Sequence, residues 1–184
     1  YCPGDKVSVR ITYKGTTAKE FDWGGNYNGN IGILGGSIAS GAVYTMTINK
    51  PGTVNLTLKG CDGETATTST LEFTTHEAPA TPTIAFSVNP VGQSKETILS
   101  IASYNANNNY IVYRSADNAV GNDTEVGAYT APMSIRHNDT GSYYYYAKAT
   151  NKSCADLTAT SAIVKLDVQE AGAIIAALGD LKID

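Results

Sequence analysis

The chain has 184 residues, room for one or two domains, and carries a net charge of −4 with no cluster of Lys or Arg. A duplex-binding surface needs a basic stripe to offset phosphates, so the charge pattern argues against nucleic acid as a partner. Charged residues are 16% of the chain, below the roughly 25% usual for globular proteins, and the longest apolar run falls far short of the about 20 residues that span a bilayer.

Thr, Ser, Asn, Gly and Tyr fill the place of the missing charges, a composition of exposed strands and turns common in secreted β-proteins. In chain order, Val7, Val9, Ile11 and Tyr13 alternate with polar residues, as a half-buried strand does. Val54, Leu56 and Leu58 form a second such face, followed by Leu71 and Phe73. Thr75 to Pro82 then reads as a linker, because Pro79 and Pro82 cannot donate to a ladder and favour an extended connection. Beyond it come Ile84, Phe86 and Val88, then Leu99 and Ile101, Tyr110 and Val112, Tyr143 and Tyr145, and last Ala162, Val164, Leu166 and Val168. Turn clusters such as Tyr104 to Asn109 and Gly121-Asn122-Asp123 separate these runs. Helical periodicity is nearly absent before the tail.

Two stretches read alike. Asn49-Lys50-Pro51-Gly52-Thr53-Val54 and Asn138-Asp139-Thr140-Gly141-Ser142-Tyr143 are both Gly-containing turns that run into a strand. Gly52 and Gly141 stand 89 positions apart, as do Trp23 and Val112 upstream of them. A repeat of that length is one small β-sandwich. The expected fold is therefore all-β, with two tandem Ig-like β-sandwich domains at 1–76 and 83–168, a linker at 77–82 and an extension at 169–184. No secretory leader is visible, and Tyr1-Cys2 already adjoins a strand pattern, so a mature or trimmed chain is expected.

The two halves differ at their starts. The second has a leading strand, Ile84 to Val88, before its Leu99–Ile101 strand, whereas the first begins at the counterpart of that second strand. A sandwich without an edge strand exposes unpaired backbone groups and a slice of core, so something should cover the groove. The apolar tail is a candidate. Read with period two, Ala173, Ile175, Ala177, Leu181 and Ile183 share one face, with Asp180, Lys182 and Asp184 on the other. Read with helical spacing, Ile174, Ile175, Leu178 and Leu181 form a short stripe, but Gly172 and Gly179 weaken a helix by roughly 1 kcal/mol each.

The cysteines are Cys2, Cys61 and Cys154. In a reducing compartment they would be buried thiols. In a secreted sandwich Cys2 and Cys61 bracket the first domain and are expected to join its sheets, a closure worth roughly 3–4.5 kcal/mol in the chain-entropy model. Cys154 is then the odd one: a free thiol, a link to another chain, or a residue whose partner has been lost. Its counterpart of Cys2 falls near Val91.

Tyr1-Cys2-Pro3-Gly4-Asp5-Lys6-Val7, Phe21-Asp22-Trp23, Pro51-Gly52-Thr53-Val54 and Gly60-Cys61-Asp62-Gly63 together resemble the Ig-like modules of Bacteroidetes cell-surface, gliding and adhesin-type proteins. Pro82-Thr83-Ile84, Tyr110-Ile111-Val112-Tyr113, Asp139-Thr140-Gly141-Ser142-Tyr143 and Asn151-Lys152-Ser153-Cys154 are similar, without the early Cys and the Trp. The resemblance covers nearly everything up to Val168 and implies that Trp23 packs against the Cys2–Cys61 bridge, as in Ig-type sandwiches. It also makes Asp139-x-Gly141-x-Tyr143 a tyrosine corner, in which a Tyr hydroxyl ties back to the backbone. Such modules host many roles, so fold alone does not name one.

Chemistry is sparse. His76 and His137 are the only histidines, and no His-x-x-x-His, Cys-x-x-Cys or Gly-x-Ser-x-Gly occurs. Nothing in the sequence places a nucleophile beside His137, so no enzyme, cofactor or metal is expected. Asp117, Asn118, Asn122, Asp123 and Glu125 gather oxygen ligands of the kind calcium uses, but their spacing matches no EF-hand and a solvated turn is the better reading. In the run Tyr143 to Tyr146, alternation sends one pair to the core and makes Tyr144 and Tyr146 a candidate aromatic ridge for a sugar or a partner.

The expectation is a non-catalytic, secreted or bacterial cell-surface structural or adhesive protein. Its partners would be other copies of itself or neighbouring domains of a longer chain, with a filament assembled by strand donation as the sharpest form. A glycan-binding module, or an accessory domain of a larger secreted adhesin or enzyme, with a glycan or host surface protein as partner, is the alternative.

Overall fold

A computed structural model describes residues 1–12, 17–18, 20–24, 38–59, 65–67, 70–121 and 123–170. The chain divides into two compact units, Tyr1–His76 and Glu77–Asp184. Among the described residues every regular element is a strand. The first unit holds β1 (Asp5–Arg10), β2 (Thr17–Ala18), β3 (Glu20–Gly24), β4 (Ile38–Ala39), β5 (Val43–Ile48), β6 (Gly52–Lys59), β7 (Thr65–Thr67) and β8 (Leu71–Phe73). The second holds β9 (Ile84–Phe86), β10 (Val91–Gly92), β11 (Glu96–Ile101), β12 (Asn108–Ser115), β13 (Thr124–Ala128), β14 (Met133–Arg136), β15 (Gly141–Asn151), β16 (Thr158–Thr160) and β17 (Val164–Gln169).

In the second unit one sheet runs β10-β17-β15-β12-β13, with β16 also paired to β15, and the other runs β14-β11-β9. All pairings are antiparallel except β10 with β17. Period-two alternation points Tyr110, Val112, Tyr145, Ala147, Ala149, Leu166 and Val168 inward from the first sheet, against Ile84, Leu99, Ile101 and Ile135 of the second. Leu99, Val112 and Leu166 are fully buried, and burying a side chain of this size contributes roughly 1.5–3 kcal/mol. Hydrogen bonds finish the core: Tyr129 is buried and its hydroxyl accepts from the Ile101 N–H at 3.0 Å.

The first unit repeats the plan. Trp23 of β3 pairs with Leu56 of β6, as Val112 of β12 pairs with Ala147 of β15. The repeat is offset by 89 positions on one strand and 91 on the other, a slip of two that leaves every side chain on its own face. Gly52 of β6 faces Phe73 of β8 as Gly141 of β15 faces Val168 of β17, and in both units the last stretch of chain pairs in two pieces. Strand β1 pairs with β5 as β11 pairs with β14. The core of this unit is Met46, Ile48, Val54 and Phe73, with Val7 and Val9 packed at its margin.

Three readings of the sequence are corrected. Val88 lies beyond the end of β9 and is 52% exposed, because the strand stops at Phe86. Leu71 shares a face with Phe73 but is 46% exposed, being the first residue of a three-residue strand. Ala162 precedes β17 and is exposed. Ile11 is buried as expected, while Tyr13 and the side chains of Trp23, Leu56 and Leu58 lie outside what is described. The extension from 171 onward, with Ala173, Ile175, Ala177, Leu181 and Ile183, lies outside the described residues as well.

Candidate functional site

The first candidate is the edge of β1. Its counterpart β11 is flanked on both sides, by β14 and by the leading strand β9. Among the described residues β1 pairs with β5 alone. The Ile11 N–H donates toward the β5 side, to the Ala42 carbonyl at 2.9 Å. Backbone groups of successive residues alternate in direction, so Lys6, Ser8 and Arg10 direct their N–H and C=O groups to the other, open edge. Burial follows the same difference. Thr97, Leu99 and Ile101 on the inner face of β11 are at most 5% exposed, whereas Val7 and Val9 are only half-buried.

The second candidate is a cleft of about 360 Å³ at one end of the second unit, where β13 and β14 are the outermost strands of the two sheets. Arg114 of β12 lies directly between Thr124 of β13 and Tyr145 of β15, so all three share the inner face. A register shift between Val112 and Tyr113 marks an irregularity in the β12–β13 pairing beside this point, and bulges of this kind re-aim side chains. From the other sheet His137, just past β14, meets the Tyr145 hydroxyl at 2.6 Å through its Nε2. The His137 ring also stacks on Tyr143, with centroids 3.4 Å apart. The Tyr143 hydroxyl donates to the Asp139 carbonyl at 3.0 Å, which is the tyrosine corner read from the sequence. Gly141 at that corner has φ of +151°, a backbone conformation that L side chains rarely adopt.

The electrostatics of this cluster favour neutral groups. Burial pushes the Tyr145 phenol up to about 12, with the Arg114 charge acting against it. Burial also holds the His137 imidazole below its usual value, and Arg114 pushes it the same way. A neutral imidazole and a neutral phenol share this hydrogen bond, its direction set by the tautomer of His137. The His137 partner that sequence reasoning missed is a tyrosine eight residues away, brought close because β14 and β15 lie in opposite sheets. The Tyr145 phenol is no nucleophile near neutral pH, since it stays protonated.

The Tyr144 and Tyr146 ridge is corrected by burial. Tyr146 is 4% exposed and Tyr144 is half-buried. Tyr113 sits opposite Tyr146 in register and stacks on it at 5.1 Å. The turn after β12 closes over the hydroxyl and brings Asp123 to it. Burial, aided by that carboxylate, pushes the Tyr146 phenol up to about 12. Tyr146 therefore presents no open aromatic face for a sugar ring to stack on.

In the oxygen-rich turn Asp117 and Asp123 accept hydrogen bonds from within the turn itself. Ser115 Oγ and the Ala119 N–H both donate to Asp117, at 3.2 and 3.1 Å, and the Gly121 N–H donates to Asp123 at 2.9 Å. Desolvation raises the Asp123 carboxyl, but hydrogen bonds from Gly121, Tyr146, Ser115 and Ala116 outweigh it and hold the group below its ordinary value. Among the described residues no cluster of three His, Cys, Asp or Glu side chains is arranged to hold a metal.

The cysteines differ from the expectation. Cys2 and Cys154 are both disulfide-bonded. With three cysteines in the chain, the one pairing that satisfies both is Cys2–Cys154, so the expected Cys2–Cys61 bridge is not formed and Cys154 is no odd thiol. Cys61 lies outside the described residues. The repeat assigned Cys2 a partner inside its own domain, and spacing alone does not determine connectivity. Val91, near the counterpart of Cys2, is a buried strand residue of β10 that needs no partner.

These sheets and their connections make the chain a two-domain Ig-like β-sandwich protein. No protein-family model matches it, and no curated protein sequence is similar to it. Among solved structures it is similar to murine CEACAM1b, at 13% identity over 91% of this chain and 94% of that one, with a TM-score of 0.43. It is also similar to the FN1–FN3 domains of chicken CNTN1, at 9% identity over 92% of this chain and 66% of that one, with a TM-score of 0.38. A third is the set of fibronectin(III)-like modules of Clostridium thermocellum CbhA, at 13% identity over 92% and 87%, with a TM-score of 0.30. The fold assignment rests on the sheet order and register, not on these likenesses. No helix among the described residues is long and apolar enough to cross a membrane.

Proposed function

We propose that this chain is a non-catalytic, extracellular structural or adhesive protein of a bacterial surface, and that it assembles through its β-sandwich domains. In the sharpest form of this reading, the open edge of β1 accepts a strand from the 173–183 segment of another copy. The observation that carries it is the pair of half-buried valines, Val7 and Val9, beside an edge that its counterpart β11 has filled with β9. An added strand would pair with Lys6, Ser8 and Arg10 and bring apolar side chains over the two valines. The period-two face of Ala173, Ile175, Ala177, Leu181 and Ile183 supplies such side chains in sequence. A strand given by one copy to the next is a head-to-tail contact, which propagates and does not close. The composition and the resemblance to Bacteroidetes surface modules support the location.

The test is light scattering with negative-stain microscopy on the full chain and on a chain ending at Gln169. Polymers from the full chain alone support strand donation. Elongated monomers from both would leave the domains as spacers within something longer and would end the filament reading.

A further inference from the structure

Strand β9 is a template for whatever covers β1. Gly4 and Ser94 both have positive φ, and their N–H groups donate alike, to the Ile48 carbonyl at 2.7 Å and to the His137 carbonyl at 2.8 Å. The Asp5 and Lys95 N–H groups follow, each bonded three residues back, to the carbonyls of Cys2 and Gly92. Val7, Val9 and Ile11 therefore stand where Thr97, Leu99 and Ile101 stand along β11. Strand β9 runs antiparallel to β11, with Phe86 opposite Leu99 and the exposed Ala85 opposite Ser100. A strand added to β1 in the same way runs antiparallel and turns inward the residues opposite Val7 and Val9.

Two features of the sequence over 171–184 select one alignment. Within that segment only Leu181 and Ile183 put two large apolar side chains two residues apart, the spacing that covers both half-buried valines. With Leu181 opposite Val9 and Ile183 opposite Val7, Asp180 falls opposite Arg10, Lys182 opposite Ser8 and Asp184 opposite Lys6. Lys6 and Arg10 are exposed on the outer face of β1, so both cross-strand pairs join opposite charges. Gly179 falls opposite Ile11, which is already buried, its N–H bonded to the Ala42 carbonyl and its carbonyl to the Gly41 N–H. A slip of two residues either way sets Lys182 against Arg10 or Lys6, and a slip of one turns Leu181 and Ile183 outward. We propose, on the strand-donation reading, that residues 180–184 of one copy pair antiparallel with Lys6–Arg10 of the next in this register. The partner of the β1 edge is then a second copy of this chain, held by two charge pairs on the outer face and an apolar seam on the inner one.

The test is a charge exchange in the full chain at low ionic strength, with the concentration of half-assembly read by light scattering. Arg10→Glu and Asp180→Lys should each raise that concentration at least roughly threefold, and the two together should return it to within about twofold of the unmodified chain. Lys6→Glu with Asp184→Lys should behave likewise. A thermal melt checks that each variant stays folded. Single exchanges without effect, or a double exchange as weak as the singles, would overturn the register and leave strand donation standing. Absence of assembly in the unmodified chain would end strand donation and the register with it. Should a variant unfold, nuclear Overhauser contacts decide, measured between a peptide of residues 171–184 and the chain ending at Gln169, which keeps every described strand. The Hα atoms of a non-hydrogen-bonded pair lie close, so Val9 should contact Leu181 and Val7 should contact Ile183. Contacts of Val9 with Gly179 or Ile183 in their place would overturn the register.

Discussion

Strands β1 and β11 occupy the same place in two copies of one fold, yet only β11 is finished. On β11 the leading strand β9 covers the second edge, and the inner-face residues are at most 5% exposed. The second unit closes another edge with a side chain: Asn89 donates to the Lys165 carbonyl at 2.7 Å and accepts the Asp167 N–H at 3.0 Å, standing in for a strand beside β17. On β1 nothing comparable appears among the described residues, and Val7 and Val9 stay half-buried. An open edge of this kind is a hazard that folded proteins ordinarily blunt with charge, proline or a cover. Its presence beside a fully managed copy is the reason for treating it as functional.

The contrast can be broken by mutation. Leu99→Ala in β11 should cost about 2–5 kcal/mol, because a fully buried side chain leaves a cavity. Val9→Ala in the unassembled chain should cost less than about 1.5 kcal/mol, since solvent already reaches that site. Urea melts that follow each unit by its own resonances check both; equal costs would mean that β1 is as well covered as β11. Tyr129→Phe comes next. It strips the acceptor from the buried Ile101 N–H and should destabilise the second unit by about 1–3 kcal/mol. Tyr143→Phe removes the corner hydrogen bond to Asp139 and should cost about 1 kcal/mol, with the fold kept.

The remaining expected effects are those of pH. The His137 pKa is lower in the folded chain than its ordinary value of 6.5, so the unfolded chain binds protons first. Stability of the second unit is then complete above pH 6.5 and falls as pH drops through that value toward the lower folded pKa. Tyr145 and Tyr146 are raised to about 12, so stability is complete below pH 10 and is lost between pH 10 and about 12. His137→Gln should remove the acid limb alone, as read from melting temperature against pH.

Much of the architecture was legible because it follows from local rules. Alternation identified Val54, Leu99, Val112 and Leu166 as core, and all four are buried. The Asp139-x-Gly141-x-Tyr143 spacing identified the tyrosine corner, since its hydrogen bond spans only four residues. The sites depend on relations that spacing does not encode. The Arg114–Tyr145 neighbourhood is a matter of strand register across 31 positions. The cover over Tyr146 comes from the path of the turn between β12 and β13, which no periodicity reports. The parallel pairing of β10 with β17 rests on two residues, too few to show a pattern. The disulfide escaped because the repeat itself pointed Cys2 toward Cys61.

Residue-resolved amide exchange on β1 tests the central claim most directly. In the chain ending at Gln169 the amides of Lys6, Ser8 and Arg10 should exchange rapidly, while Val7 and Val9, directed at β5, should be protected. Adding a synthetic peptide of residues 171–184 should protect Lys6, Ser8 and Arg10 at least tenfold and leave Val7 and Val9 little changed. Unchanged exchange at those three amides under saturating peptide would contradict the account.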